Sequence, residues 1–215
     1  VSVGRVEMVG PKVGQDLRQK ALFAIFYSLL FMVIYISGRF EMKWAASGIL
    51  VGVMLVGVYL LEALGIGASY LIVGALLVTL ALCWLLKLPY ALGAILALLH
   101  DVLVTVGFFV LFDKEFSLEV LAALLTLVGF SVNDTIVIFD RIRENLRKSR
   151  RQDLATLINS SVTQTLSRTF LTAGTVLVVT ICLFIWGGTV IHDFSFALLI
   201  GLISGTYSTI YVASP

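Results

Sequence analysis

Charged side chains are scarce. Lys, Arg, Asp and Glu make up 13% of the 215 residues while 60% are hydrophobic, against about 25% and 45–50% in an ordinary soluble domain. That imbalance excludes a water-soluble globular chain. Cysteine is limited to Cys83 and Cys182, both inside apolar runs. A disulfide framework is therefore excluded, and each thiol reads as a small buried hydrophobe. The net charge of +2 provides no electrostatic footprint for nucleic acid. There is no phosphate-binding loop, no cluster of metal ligands and no Ser/His/Asp arrangement, so an ATPase or membrane hydrolase has no residues to stand on. The sequence thus predicts no enzyme, no cofactor and no metal. It starts at Val1 and stops at Ser214-Pro215, and it reads as a piece of a longer protein.

What is present is a series of long apolar runs. A bilayer core takes about 20 apolar residues as a helix. Seven segments qualify: Ala21–Ser37, Ala45–Leu61, Ser69–Leu86, Pro89–Phe112, Phe116–Phe139, Thr169–Trp186 and Phe194–Tyr211. They are continuous and do not alternate, which favours helices over barrel strands. The expected fold is an all-α polytopic bundle of about seven spanning helices. Turn or charge signals separate them, at Arg39-Phe40-Glu41, Gly65-Ile66-Gly67, Lys87-Leu88-Pro89, Asp113-Lys114-Glu115 and Gly187-Gly188. Gly48/Gly52 and Gly201/Gly205 form two small-xxx-small motifs of the kind that permit close helix approach.

Basic residues orient the bundle. Arg141, Arg143, Arg147, Lys148, Arg150 and Arg151 follow the fifth run and are expected in the cytoplasm. Counting outward puts the loops at Arg39/Lys43 and Lys87 on that side. The loops at Gly65, Lys114 and Gly187–Asp193 then lie outside, with residues 1–20 as a periplasmic segment and 21–215 as the transmembrane domain. Residues 140–168 read as a basic cytoplasmic turn followed by an amphipathic helix at the membrane surface, with Leu154, Leu157, Ile158 and Val162 on one face. A plain solvated connector is the alternative.

Ionisable residues inside spanning helices usually face the bundle interior or a wet cavity. Asp134 lies in Ser131-Val132-Asn133-Asp134-Thr135, six residues before Asp140 and so about 9 Å deeper along the helix. Ser131, Asn133 and Thr135 can hydrogen-bond a carboxylate. Arg168 opens the sixth run. Burial favours a protonated carboxyl and a facing guanidinium favours an ionised one, so Asp134 and Arg168 fit a proton relay. The alternatives are a fixed ion pair that locks two helices, and a helix boundary set in the wrong place. His100-Asp101 sits mid-way along the fourth run and reads as a second functional pair or as structural hydrogen bonding; consecutive residues point about 100° apart on a helix. Glu62 and Glu119 are placed to reach headgroup water.

Several stretches are similar to SecF, of the SecD/SecF family of protein-export membrane proteins. They are Val9-Gly10-Pro11-Lys12-Val13-Gly14, Arg39-Phe40-Glu41, Ala91 through His100-Asp101, Ser131 through Thr135, Phe139 through Asn145, Gln164 through Thr169, and Gly205 through Pro215. The resemblance implies half of a resistance–nodulation–division-like core. It also implies pairing with SecD beside the SecYEG channel, in lipid of the bacterial inner membrane, and use of the proton-motive force to draw preproteins across. It assigns the family's proton-linked aspartate and arginine to Asp134 and Arg168. The family's first transmembrane helix and periplasmic domain are not in this sequence. In the family only a few residues link Arg39-Phe40-Glu41 to Ala91-Leu92-Gly93, whereas about 47 intervene here, which makes 42–88 an inserted two-helix hairpin. A proton-coupled exporter of small molecules or lipids on the same core is the rival reading.

Overall fold

The computed structural model describes residues 11–42, 44–63, 68–148 and 153–214. All the regular structure among them is helical: α1 (Pro11–Ile36), α2 (Trp44–Ala63), α3 (Ala68–Leu85), α4 (Pro89–Leu111), α5 (Leu118–Lys148), α6 (Leu154–Trp186) and α7 (Gly188–Tyr211). Each apolar run has become a helix because lipid offers no partner for backbone N–H and C=O groups, and a helix satisfies them within the segment. Among the described residues six helices are long and apolar enough to cross a membrane, and the apolar stretch of α3, Tyr70–Leu85, is shorter. The chain is a multi-pass membrane protein.

α7 is the central helix and packs on α4, α5 and α6. Its small residues set the spacing. A β-carbon at Gly201 would collide with the Leu127 side chain on α5, whereas Gly205 faces Asp101 on α4 at a distance that a β-carbon would also tolerate. The second group is α1 with the α2–α3 hairpin. Phe26, Leu30 and Val33 of α1 share one core with Val51, Met54 and Val58 of α2, Ile72 and Ala75 of α3, and Ala91 and Ile95 of α4.

Four boundaries differ from the sequence expectation. α1 begins at Pro11, so half of the segment read as periplasmic is helix, and residues 1–10 lie outside the described residues. α5 continues to Lys148 and α6 begins at Leu154. The stretch read as a separate surface helix is therefore the first part of α6; residues 149–152 lie outside the described residues. At 33 residues and 1.5 Å each, α6 is about 50 Å long, well beyond a ~30 Å hydrocarbon core. Its early residues pack on the α5 extension: Leu157 is buried, and Asn145 donates to Ser161 Oγ at 2.8 Å. At the other end of α6, the expected loop Gly187–Asp193 is reduced to a corner. α6 ends at Trp186 and α7 starts at Gly188. A β-carbon at Gly187 would meet Leu183 O, and Gly188 has φ +74°, a conformation that suits glycine.

α1 ends in a π-helical turn, Ser37–Glu41, followed by Met42 at φ 55°. The wide turn splays three consecutive side chains. Arg39 reaches Asp140 of α5 at 2.7 Å. Phe40 enters an aromatic group with Tyr90 and Phe139. Glu41 Oε1 accepts from Tyr90 N at 3.2 Å, in the first turn of α4, where backbone N–H groups have no helical partner.

Candidate functional site

Asp134 is 4% exposed on α5. Its nearest polar partner is on α6: Thr172 Oγ1 lies 3.5 Å from Asp134 Oδ1, a loose contact by hydrogen-bond standards. The Thr172 hydroxyl stands closer to the α6 backbone, 3.0 Å from Arg168 O and 3.1 Å from Thr169 O. Arg168 lies one turn before Thr172 and its side chain is exposed. Among the described residues no ion pair joins it to Asp134. The two residues sit on adjacent helices, but the fixed-lock contact is not made.

The α5 residues around Asp134 divide by helical angle. Ser131 and Thr135, four apart, are both buried toward α4 and α7. Thr135 Oγ1 donates to Ser131 O at 3.1 Å and lies 3.3 Å from Thr209 Oγ1 of α7. Asn133 is exposed on another side of the helix and does not join either carboxylate.

Asp101 is the best-connected side chain of the core. It is 1% exposed. Oδ2 accepts from Ser131 Oγ of α5 at 2.7 Å and from Ser208 Oγ of α7 at 2.8 Å, while Oδ1 accepts from Ser204 Oγ of α7 at 2.9 Å. His100 Nδ1 is 3.2 Å from Oδ1. Consecutive residues on a helix diverge, yet His100 turns back to its neighbour. Its ring stays half-buried, 6.0 Å from the Tyr207 ring. Three helices thus converge on one carboxyl group that accepts three serine hydrogen bonds, the kind of satisfaction under which a polar group is tolerated in a low-dielectric interior.

Sequence reasoning picked out both aspartates, because a charge in an apolar run is conspicuous. It missed Thr172, Ser204, Ser208 and Thr209. A signal for them existed: Ser204 and Ser208 are four apart in α7, and Ser161, Thr165, Thr169 and Ala173 continue the same spacing along the buried face of α6. Hydroxyls at helical period inside apolar runs mark the seam between packed helices.

The arrangement is chemically simple. One carboxylate is saturated by hydroxyls and ties three helices together. A second, three residues past Ser131 on α5, has one loose contact and a cationic side chain a turn away on the next helix. Buried ionisable groups of this kind, on helices long enough to span a bilayer, mark a polytopic membrane protein with a polar centre inside its bundle.

The chain matches the family described as protein export membrane protein SecD/SecF, C-terminal, over residues 1–81 and 53–215, and it belongs to that family. Its curated relatives are SecF subunits. It is 42% identical over 214 residues to the protein translocase subunit SecF of Vibrio alginolyticus, with 100% of this chain and 53% of the relative covered. Identity is 44% over 215 residues to SecF of Magnetococcus marinus, covering 100% and 54%, and 38% over 213 residues to SecF of Escherichia coli O157:H7, covering 99% and 52%. The chain spans about half the length of these relatives. The crystal structure of SecDF, a translocon-associated membrane protein, from Thermus thermophilus matches with a TM-score of 0.58 at 42% identity, over 68% of this chain and 20% of that one. A SecDF structure in a super-membrane-facing form matches with a TM-score of 0.59, 42% identity and the same coverage. The architecture is accordingly the resistance–nodulation–division-like helical bundle that the resemblance implied.

Proposed function

We propose that this chain is the membrane portion of a SecF-type auxiliary subunit of the Sec translocase. It pairs with SecD beside SecYEG in the bacterial cytoplasmic membrane and couples the proton-motive force to preprotein export. Asp134 carries the proton-linked change, with Arg168 as its cationic neighbour. The Asn133, Thr135 and Ser131 side chains shape the helix around it, and His100 and Asp101 support that helix from α4.

The observation that carries the reading is the state of Asp134. It is buried in a spanning helix, held by one loose hydroxyl contact and free of a fixed ion pair. A carboxylate meant only to lock two helices needs close partners, since an unpaired buried charge is costly. One that gains and loses a proton needs the opposite: an environment that tolerates both forms and a cation near enough to favour one of them. The Thr172 hydroxyl fits this role, because it can donate to Asp134 or to its own helix backbone.

The test is Asp134→Asn in the full-length subunit with its partner, assayed as gradient-stimulated preprotein translocation in inverted vesicles. The exchange keeps size and hydrogen-bonding shape but removes the titratable group. The expected result is loss of at least nine-tenths of the gradient-dependent increment, with membrane insertion and SecD association unchanged. Full stimulation in Asp134→Asn overturns the assignment.

A further inference from the structure

We propose that Asp101 is a positioning residue for Asp134: through Ser131 it sets the rotation of α5 about its own axis, and so keeps the Asp134 carboxyl turned toward α6. The proposal rests on the reading of Asp134 as the working carboxylate.

The geometry is specific. Ser131 Oγ donates to Asp101 Oδ2 at 2.7 Å, the shortest of the three serine contacts to that carboxylate and the one that reaches α5. Three residues along a helix turn through about 300°, so Asp134 points about 60° away from Ser131. With Ser131 held against α4, that angle delivers Asp134 to Thr172 on α6, where the 3.5 Å contact is found. Thr135, the other inward side chain of this turn, meets Thr209 Oγ1 only at 3.3 Å. The tight fixture is therefore Asp101. If α5 turned by those ~60°, a side chain about 5–6 Å from the helix axis would sweep some 5–6 Å, enough to move Asp134 out of reach of α6 altogether.

A carboxylate is an unusual device for simple locking. Buried charged contacts are often matched or bettered in stability by apolar packing of similar volume. What hydroxyl–carboxylate contacts add is angular definition together with easy release. A serine hydroxyl can turn to bond its own helix backbone instead, and Ser208 Oγ already has Gly205 O as a second acceptor at 3.2 Å. α7 contributes the frame: Ser204 and Ser208 hold Asp101 from one side, and Gly205 lies between them against both Asp101 and Ser131. His100, at 3.2 Å from Oδ1, completes the set from α4 itself.

The experiment reads position directly. The pair Asp134→Cys/Thr172→Cys is introduced into the full-length subunit with Cys83 and Cys182 replaced by alanine, and oxidative cross-linking is timed in native membranes with the partner present. Ser131→Ala should slow cross-linking at least fivefold, and Ser131→Thr, which restores the hydroxyl, should return it to within twofold of the parent. Ser208→Ala removes an equal contact to Asp101 without touching α5, and should leave the rate within twofold. The proposal is overturned if the parent pair does not cross-link, if Ser131→Ala leaves the rate unchanged, or if Ser131→Ala and Ser208→Ala slow it alike, which is general loosening. These outcomes are independent of proton coupling. Full gradient stimulation in Asp134→Asn would remove the functional reading while the cross-linking still decides the geometry.

Discussion

Gly201 and Gly48 occupy equivalent places in two motifs of identical spacing, yet they have opposite surroundings. A β-carbon at Gly201 would collide with both Leu127 methyls, whereas one at Gly48 meets nothing within 4 Å. Gly201→Val should therefore force α5 and α7 apart, at a cost of about 1–3 kcal/mol typical of overpacking. Gly48→Val should leave stability unchanged. Unfolding in mixed micelles with increasing denaturing detergent checks the pair; equal midpoints for both variants would contradict the close packing. The sequence displayed both motifs but could not tell them apart, because spacing reports which residues share a helical face and says nothing of what lies opposite. The aspartates were legible for the converse reason: a charge in an apolar run has few acceptable places. Their hydroxyl partners were not, since serine and threonine pass unnoticed in membrane helices by bonding to their own backbone, as Thr79, Thr126 and Thr180 do here.

The hairpin 42–88, which the resemblance implies to be an insertion, is legible as an element, and the structure supplies its anchorage. The chain leaves the π-helical turn at Met42 and returns at Leu88, and Glu41 Oε1 bonds to Tyr90 N across that gap. Arg39 is tied at the same level to Asp140, while Arg143 Nη1 donates to Arg39 O at 2.7 Å. The neck is thus closed by contacts that do not involve α2 or α3. Removal of 42–88 should leave a five-helix protein that inserts and still associates with SecD, measured by affinity co-purification from membranes. Stability should fall, because Val51, Met54, Val58 and Ile72 pack in the same core as Phe26 and Leu30 of α1. An inserted but unassociated deletion variant would show that the hairpin belongs to the core. The helix ends were less legible than the helices. Apolar runs stop where the bilayer stops, but the hydrogen-bond ladder of a helix does not require lipid. α5 and α6 run on into polar sequence, where Asn145, Ser161, Arg141 and Gln164 join them side to side.

For the molecule as a whole, the distribution of charge distinguishes its two ends. Arg39, Arg141, Arg143, Arg147 and Lys148 gather at one of them, and the other holds Lys114 paired with Asp193 at 2.5 Å. Positive residues concentrate on the cytoplasmic side of spanning proteins. A cysteine replacing Lys148 should react with membrane-impermeant maleimide only in inverted vesicles, and one replacing Glu115 only in intact spheroplasts. Reaction of the Lys148 site from outside would invert the whole arrangement and relocate the basic end to the far face.

The Gly187 corner bears on how such a bundle can move. A single residue separates α6 from α7, so the joint has no slack. The adjoining ends of the two helices cannot part, and any change in the angle between them has to be taken up at Gly187 and Gly188, whose backbones are the most permissive. α7 in turn is held in its last two turns by Asp101 of α4. The two polar centres are joined twice along the chain: once within α5, from Ser131 to Asp134, and once by the path that runs from Thr172 along α6, around the Gly187 corner and back along α7 to the serines that hold the other carboxylate.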